Sequence, residues 1–317
     1  MEPSADGSVT DVTGIEVGCW SDHERATGCT VVLCRDGAVA AVDIRGGAPG
    51  TRETGLLAPG MLVERVHAIV LAGGSAFGLA AAHGAMRWLA TRGHGFPAGP
   101  GDRVVPIVPA AVIFDRAVGD PDAFPGEPEG MAACDSRSLD VPEGRHGAGT
   151  GCTIAKLGVV GPPIPGGQGT ASTTLHASLG GHRVGALMVV NAAGSLRVPD
   201  ATERRDSWYS RGTGGQSSPL ANTTIGVVAT SAPMGRDGAT RVAAMAHDGI
   251  ARALDPVHTP FDGDAIFVLS TARAGITPVG AATVAAIGAA AAHATELAIR
   301  RGVLLGQGEL SPVTRAL

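Results

Sequence analysis

Asn222–Thr223–Thr224–Ile225–Gly226–Val227–Val228–Ala229–Thr230 is the stretch on which the reading of this chain turns. Thr, Ile and Val dominate it, as in a buried strand. The segment before it, Thr202 to Leu220, is polar and holds Gly212, Gly214, Gly215, Ser217, Ser218 and Pro219, which marks a loop. A hydroxyl residue therefore opens a strand fed by a loop. A nucleophile released by backbone cleavage needs this arrangement. The Thr223 hydroxyl can attack the Asn222 carbonyl, move the acyl group from nitrogen to oxygen and let water open the ester. The freed α-amine, with a reference pKa of about 7.7–8.0, can then serve as general base for its own hydroxyl. Asn–Thr–Thr is also an ordinary strand start, and propensity alone favours that reading.

Outward from this stretch, strand-like runs occur at Thr30–Leu33, Ala38–Ile44, Ala68–Ala72, Val112–Phe114, Thr170–Leu179, Arg183–Asn191 and Ala265–Ser270. Apolar residues at three- and four-residue steps predict helices over Ser75–Arg92, Asp237–Leu254 and Ala281–Arg301, the last with Gly302 as its exit. Asp115 to Gly149 reads as a second loop, rich in Pro, Gly and acidic residues. Strands cluster rather than alternate strictly with helices, so a layered α+β fold is expected over a doubly wound sheet. At about 150 residues per domain, 317 residues allow two domains; one body spanning 1–317 is equally consistent.

Glycine is the compositional outlier, 48 of 317 residues, roughly twice the usual share of about 7%. Apolar strands run throughout, so this implies close backbone packing and tight turns, not disorder. The net charge of −5 gives no basic footprint for nucleic acid. Five cysteines without a C-x-x-C pair suggest reduced thiols and a cytoplasmic protein. Met1 to Val9 lacks a basic and an apolar region, so no signal peptide is expected. The apolar run Val279–Ala292 is too short to span a bilayer, so no membrane association is expected.

Of the 24 Lys plus Arg residues, only Lys156 is lysine. Where arginine serves everywhere else, a lone lysine points to a place that needs a compact ammonium. It follows Gly147–Ala148–Gly149–Thr150–Gly151. The alternative is one chance survivor in an arginine-biased chain.

Other motifs fail their own tests. Ala72–Gly73–Gly74–Ser75–Ala76–Phe77–Gly78 lacks the G-x-G-x-x-G spacing, and no acidic residue lies between Glu64 and Asp102 to hold a ribose. Phe77 stands where a nucleophile elbow at Ser75 requires glycine. The histidines form no H-E-x-x-H and read singly as surface or core residues. Neither cofactor nor metal is expected.

Taken together, Arg45–Gly46–Gly47–Ala48–Pro49–Gly50–Thr51–Arg52–Glu53–Thr54, Leu71 to Gly78, Gly147–Gly151, Val189–Val190–Asn191, Asn222–Ile225 and His258–Thr259–Pro260–Phe261–Asp262–Gly263–Asp264 resemble the L-aminopeptidase/D-esterase family. That family includes β-peptidyl aminopeptidases and nylon-oligomer hydrolases, and the resemblance covers nearly the whole chain. It implies a precursor cleaved before Thr223 into 1–222 and 223–317, an αββα sandwich built from both fragments, and a homotetramer. Thr223 matches the nucleophile and Asn191 an oxyanion donor. Lys156 matches the lysine that orients the nucleophile, and Asp262 and Asp264 the carboxylates that hold Lys156 and the Thr223 ammonium. Some members place a tyrosine hydroxyl beside the nucleophile. Phe114 stands at the matching position as a pocket candidate, and the only tyrosine, Tyr209, lies in the cleaved loop. The acidic pair is closer to that of the nylon-oligomer hydrolases than to the Ser-x-Glu of some aminopeptidases.

The expected activity is hydrolysis of short or unusual peptides and amides. An endo-hydrolase of 6-aminohexanoate oligomers is one alternative. An acyltransferase of the ornithine acetyltransferase type is another, although no acceptor-site signature is present. A binding protein that keeps the scaffold would remain uncleaved.

Overall fold

Nine strands are joined by hydrogen bonds, eight of them in one path, in the computed structural model, which describes residues 7–157, 162–197 and 222–308. The expected loop over 202–220, with Tyr209, lies outside the described residues. The strands are β1 (Glu16–Asp22), β2 (Thr27–Ile44), β3 (Thr51–Arg52), β4 (Arg65–Ala72), β5 (Ala110–Val112), β6 (Gly167–Thr174), β7 (Arg183–Asn191), β8 (Thr223–Thr230) and β9 (Ala265–Ser270). They run in the order β6-β7-β8-β9-β2-β4-β5-β3, with β1 on β2. The β8–β9 and β4–β5 pairs are parallel and the others antiparallel. The helices are α1 (Ala81–Ala90), α2 (Glu127–Asp135), α3 (Arg236–Ala253) and α4 (Ala281–Gly306).

Strand β2 turns this path into two packed sheets. Its register on β4 shifts between Leu33 and Ala38, and such an irregularity bends a strand. Its first half pairs with β1 and β4, while Val39 to Ile44 pairs with β9. Three apolar clusters follow from the two-residue period of the strands. Ile225, Val227 and Ala229 of β8 meet Ile69 and Leu71 of β4 in a central core between the sheets. Val228, from the other face of β8, packs with Ala243, Ile250, Ala291 and Ile299 of α3 and α4. Val70 and Ala72, from the other face of β4, pack with Trp88 of α1 and Ala133 of α2. The layers are thus helix, sheet, sheet, helix: the α+β sandwich expected from the sequence.

Several boundaries differ from the sequence reading. Thr30–Leu33 and Ala38–Ile44 are two halves of one strand, because the turn-like residues between them form the irregularity. The helix expected from Ser75 opens as a 3₁₀ turn over Ser75–Ala80, since Gly74 and Ser75 enter it with left-handed φ of 78° and 57°. Helix α2 lies inside the expected loop 115–149, and β1 was not anticipated. Phe114 falls just beyond β5. Helix α4 continues past Gly302, which is no exit: a Cβ there would stand 2.7 Å from the Gly169 nitrogen, so glycine admits close helix–strand contact. The full 26 residues of α4 are long and apolar enough to cross a bilayer, but half of the most apolar stretch is buried inside the sandwich.

Candidate active site

Thr223 is the first residue of β8 and pairs in register with Asn191, the last residue of β7. On the other side the parallel ladder to β9 begins only at Ile225 and Ala265. The N–H of Thr224 therefore lacks a strand partner there, and the Asp264 carboxylate accepts it at 2.6 Å. A side chain supplies the rung that the backbone cannot, one peptide from the hydroxyl residue.

The Asn222–Thr223 peptide is held from two directions. The Thr223 hydroxyl donates to the Asn222 carbonyl oxygen. The Gly263 N–H donates to the same oxygen at 3.0 Å. Asn222 and Asp262 form a parallel bridge that sets this alignment. Glycine is required at 263, because a Cβ would lie 2.9 Å from Thr223 Oγ1 and 3.0 Å from the Ala48 carbonyl oxygen. The Arg45–Gly50 motif closes the other side: Ala48 N–H donates to the Asp262 carbonyl at 2.8 Å. A Cβ on Gly46 would fall 2.2 Å from that same carbonyl oxygen.

Lys156 reaches the site through Asn191. Its Nζ donates to the Asn191 backbone oxygen at 3.0 Å and to Oδ1 at 2.9 Å. Thr153 N–H also donates to Oδ1, at 2.9 Å. Two donors on one atom fix which end of the amide is oxygen. The Asn191 Nδ2 then donates to the Phe114 carbonyl at 2.9 Å. The donor on the Asn222 oxygen is the Gly263 N–H, while the Asn191 Nδ2 faces the Phe114 carbonyl. Phe114 meets the site through its backbone, with its side chain half-buried.

Burial lowers the Lys156 pKa from 10.5 to about 7, opposed by the through-space charges of Asp262 and Asp115. Asp262 accepts from Thr259 N–H at 2.7 Å and from the Thr259 hydroxyl. Its carboxyl is pushed up by burial and then by Asp264. The second oxygen of Asp264 accepts from His258 Nδ1 at 2.7 Å and from His258 N–H at 3.1 Å. Asp115 sits under the Gly73–Ser75 turn, taking Gly74 N–H at 2.6 Å and the Thr27 hydroxyl at 2.8 Å. Burial raises its pKa.

Gly263, His258 and Asp115 are site neighbours without an expected role. Gly263 and His258 stand inside the quoted His258–Asp264 motif, and a glycine between two aspartates was the available signal. Asp115 carried none. Among the described residues no group of three His, Cys, Asp or Glu is placed to hold a metal. The cysteines are free thiols, four of them buried. A cavity of about 550 Å³ is lined by Met61, Arg65, Met234, Arg236, Ser270 and Ile276. Ser270 pairs with Thr230, so the cavity opens at the far end of β8, roughly 23 Å from Thr223 at about 3.3 Å per residue. It takes no part in this site.

Comparison with known proteins agrees with this geometry. An uncharacterized aminopeptidase of Mycobacterium tuberculosis is 43% identical, over 95% of this chain and 94% of the relative. A 6-aminohexanoate-oligomer endohydrolase of Agromyces is 30% identical, over 82% of this chain and 74% of that protein. The solved L-aminopeptidase D-Ala-esterase/amidase of Ochrobactrum anthropi, described as a variant of the Ntn-hydrolase fold, superposes with a TM-score of 0.76. It is 23% identical and covers 99% of this chain and 90% of its own. The model of peptidase family S58 matches residues 7–309; the chain belongs to that family of amide-bond hydrolases.

Proposed function

We propose that the chain is made as a precursor, breaks its own Asn222–Thr223 bond, and then uses Thr223 to hydrolyse amide bonds in short peptides and related small amides. The observation that carries this reading is the pair of donors, Thr223 hydroxyl and Gly263 N–H, on the Asn222 carbonyl oxygen. In self-cleavage Thr223 Oγ1 adds to the Asn222 carbonyl carbon and the carbonyl oxygen takes the charge. Gly263 N–H stabilises that oxyanion. The C–N bond then breaks, the Thr223 nitrogen gains a proton and becomes an amine, and water opens the ester to leave the Asn222 carboxylate. Lys156 is the proton acceptor for the hydroxyl: with a pKa of about 7, much of it is neutral near pH 7.

In turnover Thr223 Oγ1 attacks the substrate carbonyl and its proton passes to the new α-amine. The leaving amine departs with a proton, and water hydrolyses the acyl ester. Mass spectrometry of the purified protein tests the first half: fragments 1–222 and 223–317 are expected, and an intact Thr223→Ala chain. A panel of L-, D- and β-amino acid amides, short peptides and a 6-aminohexanoate oligomer tests the second. A single intact mass after long incubation at neutral pH overturns the proposal.

Endo-hydrolysis of 6-aminohexanoate oligomers is a second reading, favoured by the relatives of that name and by the Asp262–Gly263–Asp264 pattern. Internal rather than end-wise cleavage of the oligomer supports it. Release of free acid without any added amine acceptor separates hydrolysis from acyl transfer. The working form is proposed to be a homotetramer of cleaved units. A cytoplasmic location is proposed from the free, largely buried thiols.

A further inference from the structure

Cleavage changes what holds the nucleophile. In the precursor Thr223 is anchored by peptide bonds on both sides. Afterwards its nitrogen is a free amine, and the first backbone N–H left in the small fragment is that of Thr224. That N–H is held by Asp264 Oδ1, because β9 has not yet begun. The other oxygen, Oδ2, is held by the backbone and ring of His258. The ring lies edge-on to His247, with centroids 4.8 Å apart. His247 is fully buried on α3 and has its Nε2 3.0 Å from the Asp43 carbonyl oxygen. A continuous brace thus runs from helix α3 through two imidazoles and one carboxylate to the peptide beside the nucleophile. His258 adopts a left-handed φ of 55°, uncommon for a residue other than glycine, and this backbone turn brings both of its nitrogen donors onto one carboxylate oxygen.

We propose that His258 is a positioning residue for the mature enzyme: through Asp264 it fixes the Thr223 end of β8 once the covalent anchor to Asn222 is gone. It matters little to self-cleavage, where the intact chain holds Thr223 in place, and much to turnover. The inference rests on Thr223 being the nucleophile. Burial lowers the His247 pKa to about 4, so near neutral pH that ring is uncharged and does not repel His258.

The test compares wild type, His258→Ala and His258→Asn as full-length proteins. Self-cleavage is followed as the appearance of the 223–317 fragment. Turnover of the cleaved enzyme is followed with p-nitrophenyl acetate as a generic acyl donor, with Thr223→Ala as the blank. Ala is less favoured than His at this φ. Asn tolerates the left-handed backbone and places its Nδ2 near the position of the ring Nδ1. His258→Ala is expected to self-cleave within about threefold of wild type, yet to lose at least tenfold in kcat with KM changed less than twofold. His258→Asn is expected to recover most of kcat. A general loss of structure would instead slow both reactions and raise no such split. Equal losses in processing and turnover, wild-type kcat in His258→Ala, or no rescue by Asn would each overturn the positioning role. If His258→Ala does not fold, His258→Gln takes its place, since its amide reaches toward the Nε2 position instead. A wild type that yields no Thr223-headed fragment, or no Thr223-dependent turnover, overturns the nucleophile assignment, and this inference with it.

Discussion

Asn191 and Thr223 face each other across the antiparallel β7–β8 ladder, and Lys156 donates to both the backbone and the side-chain oxygen of that same Asn191. One residue thus links the lone lysine to Thr223, the proposed nucleophile: its backbone sets the register of Thr223 and its amide oxygen sets the place of the amine.

This arrangement makes the lysine's chemistry specific. Lys156→Arg keeps a charge but brings a larger planar group that stays protonated, and it cannot accept a proton near pH 7. Self-cleavage and kcat/KM should each fall at least about tenfold, equal to about 1.4 kcal/mol. Lys156→Met should lose more. Parent-like rates for Lys156→Arg in both assays would remove the lysine from the mechanism.

A carboxylate beside the amine should move the pH profile in a known direction. Asn191→Asp places an anion against Lys156, which favours the charged amine and raises its pKa above about 7. If the neutral amine is the base, the rise of the self-cleavage rate with pH should move upward by at least about one unit, at which each unit is about 1.4 kcal/mol. A profile that keeps its midpoint would show that Lys156 does not act as the base.

Gly263→Ala tests the oxyanion site. The added Cβ would lie 2.9 Å from Thr223 Oγ1 and 3.0 Å from the Ala48 carbonyl. The loop must shift, and the Gly263 N–H moves with it. Self-cleavage should slow by roughly 10²-fold, the size of effect seen on losing one oxyanion donor. The test is a gel time course beside a thermal melt, and normal processing in a folded variant would contradict it.

Stability should carry the same lysine's signature. The folded amine loses its proton near pH 7, the unfolded one near 10.5. Between those values the unfolded chain binds more protons, so this group's contribution to stability rises with pH. Thr223→Ala is the uncleaved reference, compared with Thr223→Ala/Lys156→Met by urea melts. From pH 7 to about 8.5, where unfolded thiols begin to titrate, the difference should move toward the lysine protein by up to about 1.4 kcal/mol per pH unit. No other lysine exists to blur the comparison. A pH-independent difference would mean that the buried amine is not neutralised on folding.

Much of this molecule is written locally. The continuous runs of apolar and β-branched residues in β7, β8 and β9 and the three- to four-residue steps in α3 and α4 depend on neighbours along the chain, so those five elements stand close to where the sequence puts them. The motifs at Arg45–Gly50 and His258–Asp264, and the single lysine, were equally visible, because rare residues in fixed spacing need no tertiary knowledge. What the sequence left open was contact. It offered β2 as two strands, because a bend that divides one ladder between two sheets looks like a turn until both partners are known. Gly302 looked like a helix exit because its reason for being glycine, the backbone of β6, lies far away in sequence. Nothing local showed that two donors converge on the Asn191 Oδ1 and turn its amide nitrogen toward Phe114. Nor did anything local show that the parallel bridge between Asn222 and Asp262 aims the Gly263 N–H at the Asn222 oxygen. Periodicity sets which residues are buried and in what element; hydrogen-bond direction is decided only when strands from distant parts of the chain fix one another's register.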